Sequence, residues 1–246
     1  MELKYKELTK RRRPHIQPLD ATLFVTFRLA NSIPKSTVRY YKAKRDWLRD
    51  QLRRCERMAT DDSSSQKMKW LDEIERLYRE WFIKSEDIMH RQLVGPTWLR
   101  EKAVADKVAE NLHRLDDDVY RLDAFSIMSN HVHTVFKPLL DESQIEQILK
   151  TADYGDDQIP ALGKIMQAIK GRSARECNLL LGRSGQFWEH ESFDRVIRVG
   201  KFEKTIRYVL NNPVKAGIVR RWQDYPWNYC RKELLERLAL LRESPE

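Results

Sequence analysis

The stretch YRLDAFSIMSNHVHTVFK, residues 120–137, decides the fold of this chain. It contains two runs rich in apolar and β-branched residues, Tyr120 to Met128 and His131 to Lys137, on either side of a short polar break, which predicts two adjacent β-strands. In the second run His131 and His133 are two residues apart, and side chains at i and i+2 lie on one face of a strand. The sequence therefore predicts that both imidazoles reach one metal ion.

The residues before this stretch predict one more strand and two long helices. Ala21 to Leu29 is rich in β-branched and aromatic residues, which is typical of a strand. A charged, unbroken segment from Ser36 to about Ala59 predicts a helix, and the polar run from Thr60 to Ser65 ends it. The helix that follows has an apolar stripe, which we interpret as core packing: Trp70, Ile74, Leu77 and Trp81.

Four further segments predict helices. They run from Leu99 to about Leu115, from Ser143 to Lys150, from Leu162 to Leu181 and from Gly200 to Asn211. Three of them have clear apolar stripes: Val104, Val108 and Leu112 in the first; Leu162, Ile165, Met166, Ile169 and Cys177 in the third; Phe202, Ile206 and Val209 in the last.

Composition limits the classes of protein that this chain can belong to. Its 246 residues are 41% hydrophobic, which is enough for a real core in one large domain or two small ones. No stretch approaches the roughly 18 apolar residues of a membrane-spanning helix, and the first residues lack the apolar centre of a signal peptide. We therefore expect a cytoplasmic protein. Three distant cysteines, Cys55, Cys177 and Cys230, argue against a disulfide framework or a structural zinc site.

The net charge of +9 favours a polyanionic partner, with nucleic acid ahead of a membrane surface. One basic segment is the arm around Arg11, Arg12 and Arg13, and a second is the helix from Leu162 to Leu181. Two interpretations of these cations remain open, a solvated surface and contact with phosphates. The cations of that helix are Lys164, Lys170, Arg172 and Arg175.

Tyr208 is the candidate nucleophile. It follows Lys201 and Lys204 at i+7 and i+4, so the three side chains lie on one face of the last predicted helix. A phenol ionises near pH 10, and nearby positive charge favours the phenolate that would act as a nucleophile. Asn212 lies about one turn further on, although Pro213 biases Asn212 away from helical dihedral angles.

Other residues compete for these roles. Tyr225 and Tyr229 are rival nucleophiles by residue type, but the Pro and Trp between them favour a packed turn. His190 is flanked by glutamates and is either a ligand or a surface residue. Trp188 can stack on an unpaired base, but packing in the core is the preferred interpretation.

Taken in order, four motifs resemble the REP-associated tyrosine transposases, which are single-tyrosine proteins of the HUH endonuclease class. The resemblance covers most of the chain, and the order of the motifs is more specific than any one of them. The motifs are Arg12-Arg13-Pro14-His15-Ile16-Gln17-Pro18 before a Phe-Val-Thr-Phe strand; Met128-Ser129-Asn130-His131-Val132-His133; Phe187-Trp188 ahead of Asp194-Arg195-Val196-Ile197-Arg198; and Tyr208 ahead of Asn212-Pro213-Val214-Lys215-Ala216-Gly217.

The resemblance implies an α+β fold, a ferredoxin-like antiparallel sheet flanked by helices. It also implies that His131 and His133 bind a divalent metal, Mg²⁺ or Mn²⁺, with Asn212 as third ligand and Tyr208 as nucleophile. The expected partner is single-stranded or hairpin DNA, and the expected assembly is a monomer or a homodimer. Within a single domain, 1–246, residues 36–96 are predicted to be a helical insertion and residues 220–246 a C-terminal extension.

The predicted reaction is metal-dependent nicking and joining of single-stranded DNA through a 5′-phosphotyrosine. The alternative is a non-catalytic nucleic-acid-binding protein on the same scaffold. A metallohydrolase that activates water is a weaker third possibility, because no Asp or Glu lies beside the histidine pair to act as a base.

Overall fold

The computed structural model describes residues 21–57, 63–140, 144 and 161–240. These residues form two compact units, a helical unit at Ala30–Pro96 and a sheet unit made of the remaining described residues. The basic arm with Arg11, Arg12 and Arg13 lies outside the described residues, as does the predicted helix at 143–150 apart from Gln144. Assignment of residues 36–96 as an insertion, and of 220–246 as an extension, stays a prediction.

The sheet unit contains five antiparallel strands in the order β4-β1-β3-β2-β5. The strand with the two histidines, β3, is therefore the central one, and its first six residues are all buried. The strands are β1 (Leu23–Arg28), β2 (Tyr120–Ile127), β3 (His131–Pro138), β4 (Phe193–Val196) and β5 (Asn228–Cys230).

Seven α-helices are present in the part of the chain that the structure describes. Two of them, α1 and α2, form the helical unit, and the other five belong to the sheet unit. They are α1 (Lys35–Arg57), α2 (Ser63–Arg91), α3 (Lys102–His113), α4 (Ala161–Leu180), α5 (Phe202–Leu210), α6 (Asn212–Lys215) and α7 (Lys232–Leu240). Short 3₁₀ turns lie at Trp98–Arg100 and Trp222–Asp224.

The connections of the first four strands confirm the predicted fold class. In the sheet unit α3 joins β1 to β2 and α4 joins β3 to β4, which gives the order β-α-β-β-α-β. With the strand order β4-β1-β3-β2, this is the ferredoxin-like arrangement. The additional strand, β5, pairs with the outer side of β2. The helical unit occupies the connection between β1 and α3.

One face of the sheet forms the main hydrophobic core with α3 and α4. Alternate strand residues such as Val25, Phe27, Val132 and Phe136 are fully buried there. The apolar stripes predicted for α3 and α4 are also buried and belong to the same core: Val104, Val108, Leu112, Leu162, Ile165, Met166, Ile169 and Cys177. The prediction from helical periodicity is therefore confirmed for both helices.

The other face of the sheet is covered by α5. This helix contacts β2, β3 and β5. Its Ile206 and Val209 are buried, as the stripe predicts, whereas Phe202 at the first turn is only half-buried. Since successive side chains of a strand point to opposite faces, the neighbours of the core residues in β1 and β3 face α5. The histidines of β3 are among them.

The helical unit is a pair of helices with its own small core. Leu48 and Leu52 of α1 pack with Ile74 and Leu77 of α2. Trp70 packs against this cluster from the side. A second cluster contains Ile33, Ile88 and Met89, with Trp81 and Val38 against it. The interpretation of the α2 stripe as core packing is thus confirmed.

None of the described helices is long and apolar enough to span a membrane. All three cysteines are buried, and none of them forms a disulfide with another cysteine of the described residues, as expected for packing residues. Burial raises the pKa of Cys177 and of Cys230, each to about 12, so both thiols remain protonated near neutral pH.

Gly95 closes the helical unit in a backbone conformation that other residues rarely adopt. Its φ is +83°, and a Cβ added there would lie 2.3 Å from the carbonyl oxygen of Asn31. The two ends of the unit are therefore in backbone contact, and only glycine permits this approach. Gly182 also has a positive φ, +59°, but nothing lies within 4 Å of an added Cβ.

We expect Gly95→Ala to destabilise the protein clearly more than Gly182→Ala. The second change meets only the backbone penalty of about 1 kcal/mol, whereas the first adds a clash with backbone atoms that cannot move aside. Urea unfolding followed by circular dichroism measures both. Equal losses of stability in the two variants would contradict the close approach of Gly95 to Asn31.

Candidate functional site

The candidate site is built around the two histidines of β3. His131 and His133 are 1% and 0% exposed, so their polar nitrogens must find partners inside the protein. Their rings lie on the same face of the strand, at an interplanar angle of 80°. The two Nε2 atoms face each other at 3.1 Å. The alternation of side chains in the strand therefore produces the convergence that the sequence predicts.

The Nδ1 atoms of both rings have buried hydrogen-bond partners. His131 Nδ1 donates to Asn130 Oδ1 at 2.7 Å, because an amide oxygen can only accept. His133 Nδ1 lies 2.8 Å from Oγ1 of Thr26, which is the residue opposite it on β1. These bonds fix the orientation of both rings. With Nδ1 of His131 protonated, its Nε2 presents a lone pair to the neighbouring imidazole.

The spacing of the Nε2 atoms fits two ligands of one divalent ion. Two bare nitrogens 3.1 Å apart repel each other unless a proton or a cation lies between them. With metal–nitrogen distances of about 2.1 Å, this spacing corresponds to an angle of roughly 95° at the ion. That angle is close to the right angle between neighbouring ligands of an octahedral ion, the geometry that Mg²⁺ and Mn²⁺ prefer.

The helical unit contains a second pair of residues of metal-binding type. Glu86 and His90 are one turn apart on α2, with Glu86 Oε2 4.0 Å from His90 Nε2. Glu86 is buried and His90 is half-buried. The i, i+4 spacing of a carboxylate and an imidazole is visible in the sequence, but we did not identify this pair from it.

Tyr208 lies beside the histidine pair. Its ring centroid is 5.7 Å from that of His133 and 5.8 Å from that of Phe24, with edge-on geometry in both cases. Phe24 in turn stacks on His133 at 5.7 Å. The three rings therefore form one cluster, to which β1, β3 and α5 each contribute a side chain. The structure thus places the predicted nucleophile against the predicted metal ligands.

Two cations that the sequence analysis did not identify lie near Tyr208. Lys215 Nζ is 4.4 Å from the centroid of the tyrosine ring, on the helix that follows Tyr208. The guanidinium of Arg195 lies 4.9 Å from the centroid of Phe24. Burial lowers the pKa of Arg195, and the negative charge of a Tyr208 phenolate opposes that shift. The predicted cations Lys201 and Lys204 are exposed at the start of α5.

Asn212 is fully buried at the start of α6, and its amide is held in a defined orientation. Its Nδ2 donates to the carbonyl oxygen of Tyr208 at 2.8 Å. This bond connects the first residue of α6 to the backbone of Tyr208 in α5. It spans the break between the two helices, which Pro213 predicts. The role of Asn212 as a metal ligand stays a prediction.

The rival tyrosines are packing residues. Tyr225 is buried and its hydroxyl donates to the carbonyl oxygen of Ile127 at 2.7 Å. Burial raises the pKa of Tyr225 to about 12. Tyr229 stacks on Phe125, and burial raises the pKa of this phenol as well. Phenols with raised pKa values are poorer nucleophiles near neutral pH because less phenolate is present.

Trp188 is a core residue and His190 a surface residue, so both match the structural and not the functional interpretation of the sequence. Trp188 is buried against Phe27, and its indole N–H donates to Ser173 Oγ at 2.9 Å. It therefore belongs to the core and offers no free face to a base. His190 is exposed, and its carbonyl oxygen accepts a hydrogen bond from Lys170 at 2.8 Å.

The cations predicted on α4 differ in their surroundings. Lys164 is buried, and Lys170 is half-buried, with Nζ 2.6 Å from the carbonyl oxygen of Glu189. Arg172 and Arg175 are exposed, and Arg172 forms an ion pair with Glu176 at 2.9 Å. Of the four, only these two arginines are well exposed to solvent. A helical stripe in a sequence does not reveal this difference.

No model of a known protein family matches this sequence, and no curated protein does. Among solved structures, the chain is similar to one described as a REP-associated tyrosine transposase bound to a REP hairpin. The two are 15% identical with a TM-score of 0.42, and the similarity covers 97% of this chain and 89% of that one.

We expect Thr26→Val to weaken binding of Mn²⁺ by about 10- to 100-fold, because partners that orient a ligating histidine have effects of this size. The change removes the hydroxyl that lies against His133 Nδ1 and keeps the shape of the side chain. Mn²⁺ titration followed by electron paramagnetic resonance measures the affinity.

Thr134→Val is the matched control for this measurement. Thr134 is equally buried on β3, but its hydroxyl bonds to the carbonyl oxygen of Ala124 and not to a histidine. Its affinity for Mn²⁺ should match that of the unsubstituted protein. If Thr26→Val binds Mn²⁺ as tightly as Thr134→Val does, the histidines do not hold the ion.

Proposed function

We propose that this protein is a metal-dependent enzyme that nicks and rejoins single-stranded or hairpin DNA through a covalent bond to Tyr208. The observation that carries the proposal is the contact of the Tyr208 ring with His133. This contact supports a phenol that would attack a phosphodiester bound at a divalent ion between the two Nε2 atoms. The motif resemblance supports the same assignment and supplies the form of the DNA.

His131, His133 and Asn212 would hold the divalent ion. When bound, Mg²⁺ or Mn²⁺ polarises the scissile phosphodiester and offsets charge that develops in the transition state. Asn130 keeps the His131 imidazole in the tautomer that binds metal through Nε2, and Thr26 holds the His133 ring in its orientation. The hydrogen bond from Asn212 to the backbone of Tyr208 holds the third ligand and the nucleophile at a fixed separation.

Tyr208 would form the covalent intermediate. Its hydroxyl oxygen attacks phosphorus in line, and the new O–P bond forms as the bond from phosphorus to the 3′-oxygen breaks. The phenol loses its proton to solvent, and the departing 3′-oxygen gains one. The products are a 5′-phosphotyrosine and a free 3′-hydroxyl. The phosphoester bond is retained, so the reverse attack rejoins the strand without ATP.

Lys215 and Arg195 would stabilise the phenolate. Lys215 Nζ lies against the ring of Tyr208, and Arg195 approaches from the Phe24 side. A positive charge near the phenol favours its ionised form, which is the attacking species. Both residues act on the nucleophile and not on the phosphate, so we regard them as positioning residues.

The DNA backbone would be bound by Lys and Arg side chains. The net charge of +9 favours a polyanion, and contacts between Lys or Arg and phosphates supply most non-specific affinity. The proposed contacts are Arg11, Arg12, Arg13, Lys164, Lys170, Arg172, Arg175, Lys201 and Lys204, of which Lys164 is buried in the structure.

Tyr208→Phe should abolish the covalent adduct between protein and DNA. The ring contacts with Phe24 and His133 remain, so the fold survives while the attacking oxygen is lost. Incubation of a labelled hairpin with an unpaired flank and Mn²⁺, followed by denaturing electrophoresis and peptide mapping, detects the adduct. A normal adduct from Tyr208→Phe would falsify the assignment of the nucleophile.

Controls for this experiment come from the same site and from the packed tyrosines. Tyr225→Phe and Tyr229→Phe should still form the adduct. The double change of His131 and His133 to alanine should abolish it while leaving much of the DNA affinity. A protein that binds DNA but forms no adduct with any divalent ion would instead support the non-catalytic alternative.

Lys215→Gln should slow adduct formation by about tenfold or more and shift its pH dependence to higher pH, because the phenolate loses a nearby cation. Lys215→Arg keeps the charge and should restore most of the rate. Single-turnover rates measured between pH 6 and pH 10 test this. Equal pH profiles for Lys215→Gln and the unsubstituted protein would show that Lys215 only packs on the ring.

A further inference from the structure

The two helices of the helical unit differ strongly in charge. Helix α1 contains nine Lys or Arg residues and three acidic residues. Helix α2 is longer but contains six of each. The excess of positive charge in the unit is therefore concentrated on one helix, as expected for a binding surface and not for a uniformly solvated hairpin.

The three carboxylates of α1 already have partners. Asp46 is paired with Arg45 at 3.0 Å, and Asp50 is paired with Arg53 at 2.7 Å. Glu56 is paired with Lys67 of α2 at 3.3 Å. None of these acids is left to offset the other cations of the helix.

Of the other seven cations of α1, Lys44 and Arg49 are half-buried against Glu80 and Tyr78 of α2, and five lie on the exposed face of α1 in two groups. Lys35, Arg39 and Lys42 are spaced at i, i+4 and i+7 in the first turns, and Arg54 and Arg57 are in the last turn. All five are exposed. No carboxylate pairs with any of them among the residues that the structure describes. Each of them can therefore contact a phosphate without breaking an existing ion pair.

Two aromatic rings are exposed on the same helix. Tyr40 is 60% exposed and Trp47 is 55% exposed, which is unusual for side chains of this size. Trp47 contacts Trp70 at an interplanar angle of 87°, and more than half of the Trp47 side chain stays exposed beside this contact. In sequence Tyr40 lies within the first group of cations, and Trp47 lies between the two groups. Cations that track a backbone, with aromatic rings between them, are the arrangement that binds unpaired nucleic acid.

We propose that the exposed face of α1 binds an unpaired nucleic-acid strand. Lys35, Arg39, Lys42, Arg54 and Arg57 contact phosphates, and Trp47 stacks on a base. The helix is about 35 Å long, so its two groups of cations engage separate parts of one strand. The proposal rests on the proposed function only in taking single-stranded DNA as the substrate.

Anisotropy titration of a fluorescein-labelled 20-nucleotide oligo(dT) tests the proposal, with Tyr208→Phe as the background so that no adduct forms. The test variant carries Lys35→Gln, Arg39→Gln and Lys42→Gln. Its matched control on α2 carries Arg76→Gln, Arg79→Gln and Lys84→Gln, which are exposed and remove the same charge. Titrations at several salt concentrations give the number of phosphate contacts.

We expect the α1 variant to bind at least tenfold more weakly, with a salt slope reduced by about 0.7 for each lost phosphate contact. The α2 control should stay within twofold of the background protein. Trp47→Ala should lose about tenfold in affinity with an unchanged salt slope, because stacking does not release counterions. Met68→Ala, an exposed apolar residue on α2, should lose nothing.

Equal affinity and salt slope for the α1 and α2 variants would overturn the proposal. So would an α1 variant that loses binding only to vesicles of anionic phospholipid, which would make the surface a membrane contact. A failure of the proposed nicking reaction gives a different result from a failure of the α1 proposal. If the unsubstituted protein forms no adduct but the α1 variant still loses oligo(dT) affinity, the reaction is overturned and the α1 surface is supported.

Discussion

The burial of two imidazoles in the middle of a β-sheet is the constraint on which the site depends. A buried polar ring without partners costs free energy, so the surrounding residues must satisfy each nitrogen. Thr26 and Asn130 do so for the Nδ1 atoms and leave the Nε2 atoms directed at each other. An apolar residue in place of either partner would remove a buried hydrogen bond to one of the rings.

The ferredoxin-like arrangement provides this environment because the two faces of the sheet pack against different helices. Val132 and Phe136 face the core with α3 and α4, while His131 and His133 face α5. The core face supplies most of the apolar burial. The other face is therefore able to hold polar and ionisable groups, and a single short helix, α5, brings the tyrosine to it.

Sequence periodicity predicted the elements of this chain well because burial follows it directly. The central strand, the stripes of α3 and α4 and the stripe of α2 all rest on patterns within one segment. The convergence of His131 and His133 follows from the same alternation. These predictions require only the geometry of one strand or one helix.

What the sequence did not reveal depends on contacts between segments. Thr26 and His133 are opposite each other only because of the register between β1 and β3. Arg195 and Lys215 come to the tyrosine from β4 and α6, and no local pattern marks them. The burial of Lys164 could not be predicted for the same reason, because it depends on which other segments pack over α4.

The backbone contact between Gly95 and Asn31 has a consequence for how the chain folds. The pairing of β1 with β3 joins residues separated by the whole helical unit, which is slow when a long loop must close. A helical hairpin forms from local contacts and holds residues 31 and 95 together. Once it has formed, the loop between β1 and α3 is effectively a few residues long. Closing the full segment as an open loop costs on the order of 3 kcal/mol in chain entropy. Because the helical hairpin forms first from local contacts, the pairing of the strands does not bear this cost.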